Sequence, residues 1–331
     1  MHGRRITVFG GSGFIGRHLV RRLTKMGAIV RVAVRDIEGA RFLRPMGDVG
    51  QVVPWHADIC DPADVAAAVH GAEAVVNLVG ILYERGRRRF RAVHVEGARN
   101  VAAAAAAAGV ARLVHLSAIG ADGGSTSLYA RTKAEGEAAV LGAFPQATIL
   151  RPSVVFGPED DFFNRFAVLA RLLPALPVFG CVPTIARNAK GRMTIDLWGK
   201  GGPRMQPVYV GDVADAIIRV LDDSSAGGRT YELGGPRVYS FKELMALVLA
   251  ATGRRRCLVP LPFLVADIQG AILGLLPVPP LTRDQAKLLR HDNVVGGGAL
   301  TLASLGIAPT AVEVVLPTYM DRFRIGGRSG R

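Results

Sequence analysis

Cysteine and long apolar runs are both scarce in this chain of 331 residues. The three cysteines, Cys60, Cys181 and Cys257, are far apart and form no CxxC pair. This scarcity argues against a disulfide framework and a structural zinc site, and it fits a reducing compartment. Half of the residues are of hydrophobic types, which excludes a disordered chain. The length allows one large domain or two unequal domains with a core that needs no disulfides.

No uncharged apolar run reaches the ~20 residues that a membrane-spanning helix requires. The longest candidate, residues 257–281, contains Asp267 and five prolines, so we predict no span there. Two interpretations of this stretch stay open. It is a packed helix of a smaller lobe, or it offers an apolar surface to a membrane-bound neighbour or to lipid, with Arg254, Arg255 and Arg256 meeting headgroups. Only five residues precede the first apolar run, so no secretory signal is expected.

Lysine is also rare, supplying six of the 41 basic residues of a chain with a formal net charge of +14. One dense arginine cluster surrounds Phe90 and consists of Arg85, Arg87, Arg88, Arg89 and Arg91. We interpret it as a solvated loop, with contact to an acidic partner surface or to anionic headgroups as the alternative. No nucleic-acid-binding motif accompanies the charge, so nucleic acid is not an expected partner.

The first half of the chain alternates short β-branched runs with longer helical ones. Predicted strands are residues 6–9, 29–34, 52–56, 74–79, 113–116 and 148–150. Predicted helices are residues 14–26, 37–44, 62–70, 92–108 and 128–143. Continuous apolar strands separated by helices indicate a parallel sheet that is covered on both faces. We therefore predict an α/β fold with a doubly wound parallel sheet and a smaller mixed C-terminal lobe.

The pattern changes after Pro158, where glycine, proline and loop-like stretches become common. We predict a first domain over residues 1–158 and a smaller lobe over residues 159–324, with some return to the sheet near 205–235. Helices are expected in the second half near 161–172, 212–222, 240–252 and 282–290. The last residues, 325–331, are expected to form a flexible tail.

A glycine-rich loop lies directly between the first predicted strand and the first predicted helix. It consists of Gly10, Gly11, Ser12, Gly13, Phe14, Ile15 and Gly16, and Arg17 follows it. Glycine permits the tight turn, lets the backbone approach a pyrophosphate and allows close packing of helix on strand. The helix N-terminus then directs free N–H groups at the phosphates. A GxGxxG pattern in this context predicts a dinucleotide site. We therefore expect the sheet to be of the Rossmann, NAD(P)-binding type, with residues 1–158 as the NAD(P)-binding domain.

The end of the second strand bears on which dinucleotide binds. An acidic residue there would hold the ribose 2′-OH of NAD, whereas arginine accommodates the 2′-phosphate of NADP. Arg35 comes first and Arg17 can reach the same region, while Asp36 favours NAD if it points inward. We favour NADP(H), with NAD(H) as the open alternative.

Two further segments are placed to contact the cofactor. Asp58 and Ile59 follow the third strand, where a carboxylate can accept a hydrogen bond from the adenine amino group. Leu78, Val79 and Gly80 end the fourth strand and are expected beside the adenosine ribose. Ordinary loop structure remains an alternative for both segments.

Ser117, Tyr129 and Lys133 form the candidate catalytic group. Tyr129 and Lys133 are four residues apart on a predicted helix and therefore share one face. An ammonium group beside a phenol lowers the phenol's pKa, which suits acid–base chemistry near neutral pH. Lys133 can also bond the nicotinamide ribose, and Ser117 ends the fifth strand, where it can orient a carbonyl oxygen.

These residues carry a resemblance to the extended and atypical short-chain dehydrogenase/reductase superfamily. The matching segments are residues 10–16, 77–80, Ser117, Tyr129, Lys133 and residues 151–158. The resemblance covers about residues 5–235. It implies the fold and the nicotinamide cofactor, and it leaves the reaction open.

A narrower resemblance extends over nearly the whole chain. It rests on residues 144–145, 156–160, 162–166, 206–213, 261–263 and especially 281–285. These segments are similar to the nucleotide-binding accessory subunit of respiratory complex I (alpha subcomplex subunit nine) and its bacterial relatives. That family implies a tightly bound structural NADPH near the quinone region, at the junction with the membrane arm.

We therefore expect an NADP(H)-binding accessory or assembly subunit of complex I that is not itself catalytic. Complex I subunits are its expected partners, with contact to membrane lipid or to the quinone region also open. The expected location is peripheral, on the cytoplasmic side of the inner membrane, with a soluble cytoplasmic protein as the alternative. Because Ser117, Tyr129 and Lys133 are all present, a stand-alone NADP-dependent oxidoreductase or epimerase remains the alternative function.

Overall fold

The computed structural model describes residues 1–86, 88–187, 193–274, 279 and 281–324. The chain forms two compact units. The first unit comprises Met1–Pro152, Val210–Leu233 and Val295–Pro309, and the second comprises Ser153–Tyr209, Gly234–Val294 and Thr310–Arg331. The predicted tail at 325–331, Arg87 of the arginine cluster and part of the 257–281 stretch lie outside the described residues.

The strands of the described residues are, in chain order, β1 (Arg5–Phe9), β2 (Ile29–Val34), β3 (Val52–His56), β4 (Ala74–Asn77), β5 (Arg112–Leu116), β6 (Thr148–Pro152), β7 (Val155–Phe156), β8 (Ala175–Phe179), β9 (Thr184–Arg187), β10 (Met193–Asp196), β11 (Arg204–Met205), β12 (Val208–Tyr209), β13 (Thr230–Leu233), β14 (Tyr239–Ser240) and β15 (Cys257–Leu261).

The α-helices are α1 (Phe14–Lys25), α2 (Pro62–Val69), α3 (Ala98–Ala107), α4 (Leu128–Ala143), α5 (Phe162–Leu172), α6 (Val210–Asp222), α7 (Phe241–Thr252), α8 (Phe263–Leu273), α9 (Arg283–Leu288) and α10 (Val312–Met320). Short 3₁₀ helices cover Glu38–Met46, Ser224–Ala226, Ala303–Leu305 and Asp321–Phe323, and a π-helix covers Arg91–Gly97.

The first unit is built on a seven-stranded sheet of order β13-β6-β5-β4-β1-β2-β3. Every neighbouring pair in it is parallel. Val8 of β1 lies opposite Val32 of β2 on one side and Val76 of β4 on the other, and all three side chains are buried. The predicted doubly wound sheet is confirmed. The strand order reverses beside β1, and the crevice at the carboxyl ends there is where such sheets bind ligands.

Two predicted helices have a different hydrogen-bond pattern in the structure. The predicted helix over 37–44 is the 3₁₀ helix Glu38–Met46, which contains Pro45 and therefore lacks one amide donor. The predicted helix over 92–108 opens as the π-helix Arg91–Gly97 before α3 begins. A Cβ atom built on Gly136 would lie 2.1 Å from His94 O, so α4 packs directly against this widened turn.

A partly buried ion-pair network joins α4 to the sheet of the first unit. Arg151 on β6 donates two hydrogen bonds to Glu137 of α4, from Nε at 2.9 Å and from Nη2 at 2.6 Å. Its Nη1 lies 3.7 Å from Glu232 Oε1 on β13. The two carboxylates raise the pKa of Arg151, and the bidentate geometry fixes α4 against β6.

The second unit has a mixed core of short strands and helices. β8 pairs with β15 in parallel and β7 pairs with β12 in parallel, while β9–β10 and β11–β14 are antiparallel. The buried side chains that pack α5, α7 and α10 together include Phe163, Phe241, Leu244, Val312 and Leu316. The second unit is therefore mixed in secondary structure.

One buried carboxylate organises the start of α5 in the second unit. Asp160 accepts hydrogen bonds from Phe163 N at 2.6 Å, from Gly157 N at 3.2 Å and from the hydroxyl of Tyr319 on α10 at 2.6 Å. Burial raises the pKa of Asp160, although these donors oppose the rise. The loop before α5 is thereby tied to α10.

The apolar segment near residue 260 forms β15 and α8 in the second unit. Leu264 is 70% exposed and Ile268 is 53% exposed, one turn apart on α8. Ala266 between them is buried, so the helix has a packed face and an open apolar face. Among the helices of the described residues, none has the length and apolar content needed to cross a membrane.

Candidate cofactor-binding site

The glycine-rich loop turns the chain from β1 into α1 at the carboxyl edge of the sheet. Gly10 has a φ of +76°, which favours glycine. Gly13 is the N-cap residue of α1 and donates from its N–H to Gly10 O at 3.0 Å. Among the described side chains none caps α1, and its first turn contains no acidic residue. The helix N-terminus therefore keeps its amide donors and positive dipole end for an anion.

Three of the loop glycines are required by close contacts, which are with backbone atoms at Gly10 and Gly16 and with a side chain at Gly11. A Cβ atom on Gly16 would lie 2.4 Å from Gly10 O and 2.5 Å from Gly11 Cα, and one on Gly11 would lie 2.6 Å from Val32 Cγ1. A Cβ atom on Gly10 would lie 3.3 Å from Val79 N. The first turn of α1 thus rests directly on the loop, as pyrophosphate binding at this position requires.

The end of β2 is followed by Arg35 and by Asp36, whose carboxylate accepts a hydrogen bond within its own turn. Asp36 Oδ1 accepts a hydrogen bond from Gly39 N at 2.9 Å and caps the 3₁₀ helix that follows. Arg35 is exposed. Arg17 places its guanidinium 5.0 Å from the ring centre of Phe42 and 3.3 Å from Ser12 O. Positive charge therefore lines the rim of the glycine loop, while the carboxylate of Asp36 stabilises its own turn.

The segment after β3 forms a tight turn of its own. Asp58 N donates to Asp64 Oδ2 at 2.9 Å, and Asp58 Oδ1 accepts from Cys60 N at 2.9 Å. Ile59 is buried, and its carbonyl accepts a hydrogen bond from Asn100 Nδ2 at 3.2 Å. These contacts hold Asp58 half-buried in the turn that follows β3.

The segment after β4 is held against the glycine loop. Leu78 N donates to Phe9 O at 3.0 Å, and Val79 N donates to Asn77 Oδ1 at 3.1 Å. Because Asn77 uses its own side chain in this way, β4 ends at Asn77, two residues before the predicted end. Its Nδ2 lies 3.2 Å from His115 Nδ1 at the end of β5. A buried Asn–His pair therefore supports the loop that follows β4.

A second buried histidine holds the same loop from the other side. His94 Nε2 accepts a hydrogen bond from Ile81 N at 3.1 Å, and Nδ1 lies 3.1 Å from Thr132 Oγ1 on α4. The ring packs edge-on to Tyr129 with centroids 5.4 Å apart. Gly80 is exposed next to this ring. Leu78, Val79 and Gly80 therefore form an accessible wall, which the hydrogen bonds of buried side chains hold in place.

Ser117 is the one buried side chain in the described part of the chain whose polar atom has no hydrogen-bond partner. Its backbone N–H donates to Leu150 O at 2.7 Å, which fixes the residue at the end of β5. Burying a hydroxyl without a hydrogen-bond partner lowers the stability of the fold, unless a bound ligand supplies the missing partner. The position fits a hydroxyl that contacts a ligand at the carboxyl edge.

Lys133 and Tyr129 share one face of α4, but the pKa of Tyr129 differs from the sequence-based expectation. Lys133 Nζ donates to Leu116 O at 2.8 Å. Burial lowers the pKa of Lys133 to about 8, against the opposing charge of Glu137. We predicted that the ammonium would lower the pKa of Tyr129, whereas burial raises it to about 12. The phenol is therefore neutral at physiological pH.

His94, Thr132, Asn77 and His115 were not among the predicted site residues. A signal for two of them exists, since Asn77 and His115 are polar residues within otherwise apolar strands. His94 and Thr132 carry no such signal, because their roles depend on the π-helix and on how α4 packs against it.

The family model described as "NAD dependent epimerase/dehydratase family" matches residues 6–234, which include the glycine loop and the ends of all seven strands of the sheet. The chain belongs to this family. The glycine-lined cradle and the unpartnered Ser117 hydroxyl also fit a nicotinamide dinucleotide, and family and cradle together support binding of this cofactor class.

Two relatives are similar along nearly the whole chain. NADH dehydrogenase (ubiquinone) 1 alpha subcomplex subunit 9, mitochondrial, of Arabidopsis thaliana is 35% identical over 97% of this chain and 78% of that protein. The Mus musculus protein of the same name is 35% identical over 96% of this chain and 80% of its own length. Among solved structures, UDP-glucose 4-epimerase of Thermus thermophilus with NAD has a TM-score of 0.68 and 22% identity, covering 96% of this chain and 98% of that one. This last likeness shows the fold.

Replacing Gly16 by alanine should destabilise the first unit and abolish nucleotide binding. The added methyl group collides with backbone atoms of Gly10 and Gly11 that cannot rotate away, so we expect a loss of about 2 kcal/mol in the free energy of unfolding. Gly142→Ala is the matched control, since a Cβ atom there meets no atom within 4 Å. Urea unfolding and NADPH titration measure both effects; equal behaviour of the two variants would contradict the close-contact argument.

Acid should destabilise the fold partly through His94. Burial, with the charge of Lys133, lowers the pKa of His94 to about 3 from 6.5. Between these values the unfolded chain binds a proton that the folded chain does not, so stability falls as the pH falls. His94→Gln removes this penalty. Relative to that variant, the wild type should lose about 2 kcal/mol between pH 7 and pH 5. Urea unfolding at both pH values measures the difference, and a constant difference would disprove the assignment.

Proposed function

We propose that the chain is an NADP(H)-binding accessory or assembly subunit of respiratory complex I, peripheral to the membrane on its cytoplasmic side. The observation that carries this proposal is the extent of the similarity to the subunit 9 proteins, which covers the second unit as well as the glycine loop. A relationship through the nucleotide site alone would end near residue 234, where the general family match ends.

A structural role for the nucleotide is supported by the state of the catalytic group. Lys133 Nζ donates one hydrogen bond to the carbonyl of Leu116, and burial holds the pKa of Tyr129 at about 12. A phenol with so high a pKa is a poor base at neutral pH. The Glu137–Arg151 pair and the buried histidines instead favour a rigid pocket, which suits a ligand that is retained.

NADP(H) is the proposed form of the cofactor. Asp36, the carboxylate that could accept from a ribose 2′-OH, is engaged by Gly39 N. Arg35 directly follows the end of β2, and Arg17 lies in the first turn of α1. Arginine suits a 2′-phosphate because its guanidinium group makes charge-assisted hydrogen bonds.

The open face of α8 is the proposed contact with a membrane-bound neighbour or its surrounding lipid. Leu264 and Ile268 expose large aliphatic side chains there. Arg254, Arg255 and Arg256 immediately precede β15 and supply positive charge in the same unit. An exposed apolar helix face and arginines in one unit fit a peripheral site near anionic headgroups.

An NADP-dependent oxidoreductase or epimerase is the second candidate function. The unpartnered buried hydroxyl of Ser117 favours it, because such a group can orient the carbonyl oxygen of a substrate. In that case Tyr129 would act as acid and base, and Lys133 would hold the nicotinamide ribose.

Association with complex I is tested by tagging the chain in its native host, solubilising membranes in mild detergent and resolving native complexes. We expect the chain to migrate with NADH dehydrogenase activity and to release stoichiometric NADPH on denaturation. The double variant Leu264→Ser, Ile268→Ser should dissociate, whereas Val314→Ser, at an exposed valine on α10, should not.

A soluble chain with exchangeable NADP would contradict the proposal. The second candidate would gain support from carbonyl reduction that is lost in Tyr129→Phe while nucleotide affinity is retained. Turnover by the complex-bound chain would show that the bound nucleotide is not purely structural.

The choice of NADPH over NADH should depend on Arg35. Removing a guanidinium that bonds a phosphate costs about 1.5–3 kcal/mol, so Arg35→Ser should weaken NADPH binding at least about tenfold and leave NADH binding nearly unchanged. Arg41→Ser is the control, because it removes the same charge from a residue already paired with Glu38 at 2.6 Å. Fluorescence titration of both nucleotides gives the comparison. An equal loss for NADPH and NADH would refute the role of Arg35.

A further inference from the structure

We infer that His94 is a positioning residue of the nucleotide site, whose neutral ring fixes the Leu78–Gly80 wall and the helix of Tyr129 to each other before the nucleotide binds. The inference rests on the proposed nucleotide binding and goes beyond it, because His94 lies outside the glycine loop and outside the Ser117, Tyr129 and Lys133 group.

The hydrogen bonds of the ring define its tautomer. Ile81 N can only donate, so Nε2 of His94 is the acceptor and carries no proton. The remaining proton of a neutral ring is then on Nδ1, which donates to Thr132 Oγ1 at 3.1 Å. Thr132 Oγ1 in turn donates to Leu128 O at 2.9 Å. One chain of hydrogen bonds therefore runs from the loop after β4 to the first turn of α4.

The faces and edges of the ring are equally constrained. Its centroid is 5.4 Å from that of Tyr129, nearly perpendicular, and 5.3 Å from that of Phe90. A Cβ atom on Gly80 would lie 3.8 Å from Nε2. The side chain that holds the wall thus also contacts the phenol, so a displaced ring would move both sides of the site.

The backbone places this ring through the π-helix. His94 is the central residue of Arg91–Gly97. Its carbonyl oxygen lies so close to Gly136 of α4 that no side chain could be accommodated at position 136. Single π-type turns inside helices recur at functional sites because they redirect one side chain. Here the widened turn directs the imidazole between the loop and α4.

The charged and titratable groups that act on the ring favour its neutral form. Burial and the Lys133 ammonium both lower the pKa of His94. His115, itself buried and interacting electrostatically with His94, has its pKa lowered as well. Protonation of His94 at Nε2 would break the bond from Ile81, so a fixed neutral ring is what the positioning role requires.

The test compares four variants of the full chain in NADPH titrations and thermal unfolding. His94→Phe keeps the ring but removes both hydrogen bonds, and Thr132→Val removes only the acceptor on α4. His94→Gln retains one acceptor and one donor. Thr7→Val is the matched control, since Thr7 Oγ1 donates to Ala68 O at 2.9 Å in an equally buried place, within the sheet and outside the site.

We expect His94→Phe and Thr132→Val to weaken NADPH binding about three- to tenfold, the loss that one or two hydrogen bonds represent. His94→Gln should recover most of the affinity, and Thr7→Val should lower the melting temperature without changing the affinity. If His94→Phe does not fold, the NADPH affinity of Thr132→Val is compared with that of Thr7→Val, and this comparison tests the inference. In ¹⁵N NMR spectra the His94 ring should remain the Nδ1–H tautomer from pH 5 to pH 8.

Wild-type affinity in both His94→Phe and Thr132→Val would overturn the inference. So would a ring that titrates between pH 6 and pH 7, or a loss of affinity in Thr7→Val equal to that in Thr132→Val. The proposed nucleotide binding fails by a different result, the absence of NADPH and NADH binding by the wild-type protein, which would remove the basis of the inference as well.

Discussion

The contact on which the first unit depends is between Gly16 of α1 and the backbone of Gly10 and Gly11. It allows α1 to begin directly above the end of β1, so that the helix N-terminus faces the carboxyl edge of the sheet. The loop after β4 lies against Gly10. A side chain at that position would come into close contact with Leu78 and Val79. The glycine loop and the segment after β4 are therefore one packed structure.

Behind this surface, two buried histidines are neutral, and the buried carboxylate of Glu137 is paired with a guanidinium. His94 and His115 have depressed pKa values and serve as hydrogen-bonding supports. Glu137 carries its charge against Arg151. Burial keeps the phenol of Tyr129 protonated, so in this structure it is a poor base at neutral pH.

Much of this arrangement could be predicted from local patterns. The strands of the sheet, the glycine loop and the shared face of Tyr129 and Lys133 follow from hydrophobic periodicity and from the special geometry of glycine. The π-helix, the 3₁₀ helix after Asp36 and the hydrogen bond from Lys133 to Leu116 could not be predicted in this way. Each depends on contacts between segments that are distant in sequence, such as Gly136 against His94, and the pKa of Tyr129 depends on burial that only the packed structure determines.

The first unit is discontinuous in sequence, and this affects how the protein is made. β6 ends at Pro152, yet its neighbour β13 begins at Thr230, after the chain has passed through part of the second unit. During synthesis the sheet therefore exposes β6 as an open edge until residue 233 has left the ribosome. An unpaired edge strand is a template for wrong pairing. A nascent chain that stalls between these two strands would present that template to its neighbours, because the sheet can be completed only after synthesis has passed residue 233 of 331.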